Sequence, residues 1–401
     1  MPMANSTTFA PGTVAFVLLM AGLMTMSAMT IDINLPAIPA TAEEFGASLG
    51  LVQLTVPIFF VGFALGQAVY GSASDRFGRK PVMIGGILLF IASSLACAAT
   101  QDIHSLLAMR LVQGLGAGAG PVLGRAIIRD LFHGPQMARV MSFAMAAFIT
   151  APIVAPSIGA VILSFASWRW IFVFLAVYGA VLFVVALLFV AESLQQPNPL
   201  AMQPRRILRA WSVVLRNRDS LVYGGIGTAA LAALVVYLAN ASTVFMTGYG
   251  FTAGEFGMIF AAIAACSAVG NLLNARLVRT FPLTWLIRLG ILLCLAALGF
   301  SIAAWLLGLH APWVPLFGFS LYLFSFGFMV ANGMTLAMQP HGAIIGAATA
   351  IIGVGQALVP ALAGSLSASL ADGTPLPVMA AMLLLTLMAG GLFLLRKPAS
   401  A

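Results

Sequence analysis

Two ionisable residues, Asp32 and Arg110, lie well inside long apolar runs of this sequence. A charge in the middle of a membrane costs roughly 2.5–3.5 kcal/mol on insertion scales, so such residues are rare and usually functional. A carboxyl group at that depth could load and release a proton. The two residues therefore suggest proton coupling, and a static structural ion pair is the alternative.

The two residues are predicted to lie at the same depth. Asp32 precedes Pro39 by seven residues, at the outer end of the first apolar run, and Arg110 follows His104 by six, at the outer end of the fourth. With a rise of 1.5 Å per residue, both lie about 10 Å from the outer face. They could therefore meet across a cavity.

A second group of charges is concentrated in the segment GSASDRFGRKP (71–81), although only 7% of the chain is charged. Its basic residues would face an anionic membrane surface, whereas Asp75 gains nothing from that location. Gly71 and Gly78 permit close approach and a tight turn. We therefore expect this segment to do more than orient the chain.

The composition indicates the environment of these residues. The chain has 401 residues, 62% of them hydrophobic, against a usual apolar share of about 45–50%. The sequence therefore predicts an all-α integral membrane protein with twelve transmembrane helices. The predicted spans are 12–38, 49–72, 81–100, 104–129, 136–165, 168–191, 220–246, 254–277, 283–307, 311–337, 342–370 and 376–395.

Basic residues collect in alternate connections between these spans, as cytoplasmic loops do. Only Arg110 and Arg169 of the 18 basic residues fall elsewhere. We therefore predict a multi-pass protein with both termini in the cytoplasm. The basic residues that lie in these alternate connections are Arg76, Arg79, Lys80, Arg125, Arg129, Arg139, Arg205, Arg206, Arg209, Arg216, Arg218, Arg276, Arg279, Arg288, Arg396 and Lys397.

The predicted spans divide into two halves of six. We predict an N-terminal bundle at 1–191, a cytoplasmic connector at 192–218 and a C-terminal bundle at 219–401. A weak internal repeat supports the division, because NARLVRTFP (274–282) follows the second span of the latter half as GSASDRFGRKP does in the first. Parallel repeats are a common transporter plan.

Several function classes lack their sequence signatures. The chain has neither an H-E-x-x-H metal motif nor the G-x-x-x-x-G-K-[ST] nucleotide loop. Its three cysteines fall inside predicted spans, and its four histidines lack partners at metal-ligand spacing. We predict no enzyme activity, no metal site and no nucleic-acid partner.

Several segments resemble motifs of the major facilitator superfamily. GSASDRFGRKP is similar to its loop between spans two and three, and RLVQGLGAGAGPVLGRAIIRDLF (110–132) to its fourth-span motif. TIDINLPAIP (30–39), SWRWIF (167–172) and the segment 340–366 resemble the bicyclomycin/chloramphenicol-resistance type of drug/proton antiporter. APIVAPSIGA (151–160) is similar to the fifth-span antiporter motif, with Pro152, Pro156 and Gly159, although Ala155 stands where a perfect motif has glycine.

The resemblance implies a major facilitator fold and a proton-coupled multidrug efflux transporter in the inner membrane. It implies alternating access that is driven by the proton gradient and needs no cofactor. The expected partners are protons and a small-molecule drug, and the protein is expected to be a monomer in the lipid bilayer. The resemblance also implies that Asp75, Arg76, Gly78, Arg79 and Asp130 form a gating network in which Asp75 caps a second-half helix.

The substrate is predicted to be a hydrophobic neutral antibiotic of the chloramphenicol type. Some relatives carry an extra acid deeper in span one, where this chain has Met24 and Thr25, which disfavours cationic drugs. A proton-coupled symporter or exporter of a small metabolite such as a sugar or amino acid is the alternative. The candidate cavity residues are Met29, Asn34, Gln113, Tyr237, Asn240 and Asn332.

Overall fold

A computed structural model describes residues 13–199, 203 and 211–396. Over these residues the regular structure is entirely helical, and twelve helical segments are long and apolar enough to cross a membrane. The predicted fold class and the predicted number of spans are therefore confirmed. The predicted cytoplasmic residues Arg205, Arg206, Arg209 and Lys397 lie outside the described part of the chain.

The first six spans begin at Val14 and end at Phe189, and spans 1, 2 and 4 are each divided between two helices. The helices are α1 (Val14–Asp32), α2 (Ile38–Phe45), α3 (Leu49–Gln53), α4 (Thr55–Phe77), α5 (Arg79–Ala99), α6 (Ile103–Ala117), α7 (Ala119–Leu131), α8 (Gly134–Phe165) and α9 (Arg169–Phe189). A 3₁₀ turn, Leu35–Ala37, joins α1 to α2.

In the last six spans, a single α-helix forms the main part of each span. They are α10 (Arg218–Ser242), α11 (Ala253–Leu277), α12 (Leu283–Leu306), α13 (Trp313–Met338), α14 (Ile345–Ser369) and α15 (Pro375–Leu394). A π-helical segment, Thr243–Gly248, extends α10, and a 3₁₀ segment, Gln339–Ile344, precedes α14.

Two of the predicted spans end too early in the sequence. The first helical segment continues to Phe45, although the prediction ended it at residue 38, and α4 continues to Phe77 instead of residue 72. Charged residues end the apolar pattern at Asp75, but a helix keeps its backbone hydrogen bonds beyond the hydrocarbon. The end of an apolar run is therefore not the end of the helix.

Acidic residues in the connections on the predicted outer side stabilise helix starts and turns. The Asp102 carboxylate accepts a 2.9 Å hydrogen bond from the Ser105 backbone N–H at the start of α6, and this bond lowers the pKa of Asp102. Thr252 and Glu255 form a capping box at the start of α11. Each carboxylate satisfies N–H groups that a helix leaves open at its first turn.

The chain folds into two compact units. Among the described residues, one comprises those up to Asn34 and those from Ile58 to Gln203, and the other comprises Leu35–Pro57 and those that follow Gln203. The segment Leu35–Pro57 thus groups with the second unit, although it precedes most of the first half in sequence. Within the second unit, Gln53 Nε2 donates a 2.7 Å hydrogen bond to Thr243 Oγ1.

Helix packing inside the units repeats with an interval of six spans. In the first unit, span 3 (α5) packs against spans 4 and 6, and span 1 (α1) packs against spans 4 and 5. In the second unit, span 9 (α12) packs against spans 10 and 12, and span 7 (α10) packs against spans 10 and 11. This recurrence agrees with the weak sequence repeat and with a parallel-repeat transporter.

Spans 2 and 4 approach each other through glycine residues. A Cβ added at Gly62 would overlap the backbone oxygen of Leu111, and one added at Gly114 would overlap the backbone oxygen of Phe59. Small residues allow this close backbone contact between membrane helices. The close approach predicted at Gly71 is not seen, because no atom lies within 4 Å of an added Cβ there.

We predict that Gly62→Ala destabilises the protein and that Gly71→Ala does not. The added methyl group at residue 62 meets backbone, which cannot rotate away, and overpacking of this kind costs about 1–3 kcal/mol. Thermal unfolding of the purified protein in detergent would measure both variants. Gly71 is the matched control because it lies on the same helix with open space beside it. Equal melting temperatures for the two variants would contradict the prediction.

Candidate functional site

Arg110 lies fully buried in α6 and contacts three neighbouring helices. One guanidinium nitrogen donates to Gln113 Oε1 at 2.7 Å and to the backbone oxygen of Thr30, in α1, at 3.5 Å. The guanidinium also lies over two aromatic rings, 4.7 Å from the centroid of Phe59 and 5.9 Å from that of Phe172. Stacking of this kind favours arginine over lysine.

Gln113 extends the contacts of Arg110 to span 3. Its side-chain amide donates to Ser94 Oγ at 2.9 Å, while its oxygen accepts from Arg110. Both partners are buried, and all of these groups lie inside the first unit. The predicted cavity residue Gln113 therefore positions Arg110 by linking α6 to α5.

Asp32 is the last residue of α1, and its relative exposure is only 4%. It forms no ion pair with Arg110 or with any other residue that the structure describes. The structure nevertheless brings Arg110 to the backbone of Thr30, two residues before Asp32. Span 4 is thus held near the end of α1. The Asp32 carboxyl group, two residues further along α1, is buried without a salt bridge among the described residues.

The remaining candidate cavity residues are divided between the units. Met29 and Asn34 lie in the first unit, where Asn34 is buried. Tyr237 lies fully buried in the second unit. The centroid of its ring lies 5.8 Å from that of Phe260 and 5.0 Å from that of Phe319. This tyrosine therefore belongs to an aromatic cluster.

The two remaining amides join helices of the second unit. Asn240 Nδ2 donates to Ser367 Oγ at 2.9 Å and thereby links α10 to α14. Asn332 Nδ2 donates to Asn274 Oδ1 at 2.9 Å and links α13 to α11. Such bonds between side-chain amides are a recurrent means of fixing membrane helices to each other.

A charge network surrounds Arg79, the first residue of α5. Its Nε donates to Asp130 Oδ2 at 2.8 Å, and one terminal nitrogen donates to Asp75 Oδ1 at 2.6 Å and to Ser74 Oγ at 2.7 Å. The side chain of Arg79 is 5% exposed, while that of Asp75 is 46% exposed. Three of the predicted network residues are therefore joined, and Asp75 forms their solvent-facing end.

Two further predicted residues have different surroundings. Arg76 is exposed and lies over the ring of Phe77, 5.1 Å from its centroid, away from the Arg79 contacts. Gly78 separates α4 from α5 with φ +102° and ψ 152°. That conformation is essentially restricted to glycine. The prediction of a tight turn at Gly78 agrees with this geometry.

Glu192, just beyond α9, was not predicted from the sequence as a site residue. Its carboxylate accepts hydrogen bonds from three backbone N–H groups, those of Arg79 (2.9 Å), Lys80 (3.1 Å) and Leu194 (2.9 Å). An anion at a helix N-terminus is favourable because the free N–H groups and the helix dipole both point to it. Glu192 therefore attaches the end of span 6 to the start of span 3.

The segment 151–160 lies in the middle of α8, which is continuous from Gly134 to Phe165. Pro152 is half-buried, and Pro156 and Gly159 are buried. Proline removes one backbone hydrogen bond from a helix, so these positions locally weaken α8. The helix packs against α1, which carries Asp32.

Comparisons with known proteins identify a matching family, related chains and similar folds. The family described as Major Facilitator Superfamily matches residues 18–364. A bicyclomycin resistance protein homolog from Haemophilus influenzae is 27% identical over 92% of both chains. Multidrug resistance protein MdtL from Escherichia coli O157:H7 is 30% identical over 81% of both chains. A solved D-xylose-proton symporter is similar in fold, with TM-score 0.74, 17% identity and coverage of 94% of this chain and 97% of that chain.

We predict that Gly78→Ala lowers stability through the α4–α5 turn. The added Cβ would lie 2.5 Å from Glu192 Oε2, and the backbone conformation alone costs of order 1–3 kcal/mol for a residue with a side chain. Thermal unfolding in detergent would measure the loss.

Gly85→Ala is the matched control for this variant, since Gly85 lies in α5 with no atom within 4 Å of an added Cβ. If Gly78→Ala and Gly85→Ala unfold at the same temperature, the turn depends neither on the glycine nor on the Glu192 cap.

Proposed function

This chain belongs to the Major Facilitator Superfamily of membrane transporters, and we propose that it is a proton-coupled drug exporter. Its substrates are hydrophobic neutral antibiotics of the chloramphenicol type. Relatives named for bicyclomycin and multidrug resistance support drug efflux as the general activity. The observation that carries proton coupling is the buried Asp32 carboxyl group, which has no salt bridge among the described residues and lies two residues after the Thr30 carbonyl that Arg110 contacts.

Asp32 is the proton-coupling residue in this proposal. An intramembrane carboxyl group is costly when charged, and such groups mark proton relays in transporters. A carboxyl group fixed in a salt bridge would be held in its charged form, whereas Asp32 has no such partner among the described residues. Its protonation state is therefore free to change with the state of the transporter, while Arg110 fixes the adjacent backbone.

The transport cycle follows from alternating access. In the outward-facing state Asp32 takes a proton from the outside, and the protein then changes to the inward-facing state. A hydrophobic drug that enters from the cytoplasm or inner leaflet competes with that proton, and proton release drives the return. The energy comes from the proton gradient, so the cycle needs no cofactor.

The contacts of Arg79 are proposed to act as a cytoplasmic latch. Arg79 and Asp130 form its buried part, and Asp75 offers a half-exposed carboxylate that can exchange partners. Asp75 lies in the last turn of α4, and a half-exposed ion pair such as that between Asp75 and Arg79 contributes about 0.2–1 kcal/mol. An interaction of that size suits a contact that must open in every cycle.

The location and assembly are part of the same proposal. The chain is a multi-pass membrane protein, and we place it in the inner membrane as a monomer with both termini in the cytoplasm. The asymmetry of basic residues between alternate connections supports this orientation.

We predict that a pH gradient drives chloramphenicol export by the native protein and not by Asp32→Asn, when the acidic side is the one that the outer face of the protein contacts. The variant cannot release a proton at this position, so only the proton-driven component is lost and drug binding remains. Transport in inside-out proteoliposomes with an imposed gradient would measure both. Glu43→Gln, at an exposed acid of α2, is the control and should transport like the native protein. Gradient-driven uptake in the opposite direction would instead indicate a symporter.

For the latch, we predict that Asp75→Asn slows drug export while expression and thermal stability remain near native. The substitution removes the charge but keeps the size of the side chain, so Arg79 retains Asp130 as its partner. Initial export rates at equal protein content would measure the effect. An unchanged rate would contradict a gating role for Asp75.

A further inference from the structure

The inner half of span 4 has a basic face that the first unit leaves uncovered. Helix α7 is buried on one side, where it packs against α1 and α5. Its other side presents half-buried Val122 and exposed Arg125 and Arg129, at helical spacings of three and four residues. These two arginines form an arginine stripe.

The arginine stripe does not border the hydrocarbon of the membrane. Helices that border hydrocarbon expose rows of large apolar side chains, as α9 does with Trp170, Phe174, Val177, Val181, Val184, Leu187 and Leu188. In the whole of α7, the only exposed large apolar side chain is that of Leu131, its final residue. A face with two cations and no exposed apolar row is suited to water.

The positive charges of the stripe are not neutralised by the described protein. Neither Arg125 nor Arg129 forms a hydrogen bond or ion pair with any residue that the structure describes. The neighbouring acid Asp130 is bonded to Arg79 Nε and Ser193 Oγ. Like charges four residues apart on a helix repel each other, so an anion bound between them would relieve that repulsion.

We propose that the arginine stripe binds the carboxylate or phosphate group of an amphiphilic anion on the cytoplasmic side. Each guanidinium can donate two parallel hydrogen bonds to such a group. The anion has two possible sources, a transported organic acid or the headgroup of an anionic lipid. The organic-acid source rests on the proposed export function, because it extends that export from neutral to anionic amphiphiles. Anion binding itself does not depend on proton coupling.

Binding of a matched pair of fluorescent probes tests the proposal. Pyrenebutyrate and pyrenebutanol share one aromatic body and differ in charge, and their binding to the purified full chain in a neutral detergent can be followed by fluorescence anisotropy. We expect the native protein to bind the acid about tenfold or more tightly than the alcohol, which corresponds to at least one charge-assisted hydrogen bond.

Variants of the stripe should reduce this preference selectively. Arg125→Gln and Arg129→Gln are each expected to weaken pyrenebutyrate binding several-fold without changing pyrenebutanol binding, which also shows that the variants are folded. Arg139→Gln is the matched control, because Arg139 is an exposed arginine near the start of α8 on the same predicted side. It should bind both probes like the native protein.

Nanodiscs distinguish the two sources of the anion. If phosphatidylglycerol displaces pyrenebutyrate from the native protein, the stripe binds a lipid headgroup. If it does not, and proteoliposomes export pyrenebutyrate, the stripe binds substrate. The proposal is overturned if the native protein shows no preference for the acid, or if Arg125→Gln and Arg129→Gln retain it. Chloramphenicol export by the same variants tests the proposed function separately.

Discussion

The burial of a guanidinium group inside a membrane bundle is the constraint on which the first unit depends. Arg110 lies in α6, and its contacts connect α1 through the Thr30 carbonyl, α4 through Phe59 and α9 through Phe172. Gln113 adds α5 through Ser94. Removing such a group from water is costly unless it gains polar or aromatic partners, and the contacts of this one side chain and of Gln113 join five helices of the unit.

A second arginine acts in a similar way at the membrane surface, but with different partners. Arg79 bonds to the carboxylates of Asp75 and Asp130, while its backbone N–H is capped by Glu192. This connects the ends of spans 2, 3, 4 and 6. The contacts that hold Arg110 are neutral groups and aromatic faces, whereas those of Arg79 are carboxylates that can exchange partners. The first arrangement suits a fixed position inside the unit, and the second suits a latch.

The fold could be predicted from the sequence because hydropathy and charge are local signals. Twelve apolar runs correspond to the twelve spans found among the described residues, whereas the network of Asp75, Arg79 and Asp130 was expected only from the resemblance of GSASDRFGRKP to a family motif. Glu192 could not be predicted as a cap, since its role depends on the end of span 6 lying beside the start of span 3. The one available signal was an acid immediately after a span on the basic side. The π-helical segment at Thr243–Gly248 has no evident sequence pattern.

The expectation for Asp32 and Arg110 illustrates the limit of depth matching. Counting residues from the span ends placed the two at one level, and the structure brings Arg110 to the end of α1. Counting residues from the predicted span ends could not decide which atoms of the two spans meet. The first helical segment does not end where the count assumed, since it continues to Phe45 through a 3₁₀ turn. The guanidinium contacts a backbone oxygen of α1, and the carboxyl group of Asp32 remains outside any salt bridge among the described residues.

Proton release on drug binding tests the central claim most directly. Chloramphenicol would be added to the purified protein in a weakly buffered detergent solution containing a pH-indicator dye, with binding measured in parallel. We expect the native protein to release protons in proportion to drug bound, and Asp32→Asn to bind the drug without releasing them. Equal proton release by the variant, or drug binding by the native protein without release, would contradict coupling through Asp32.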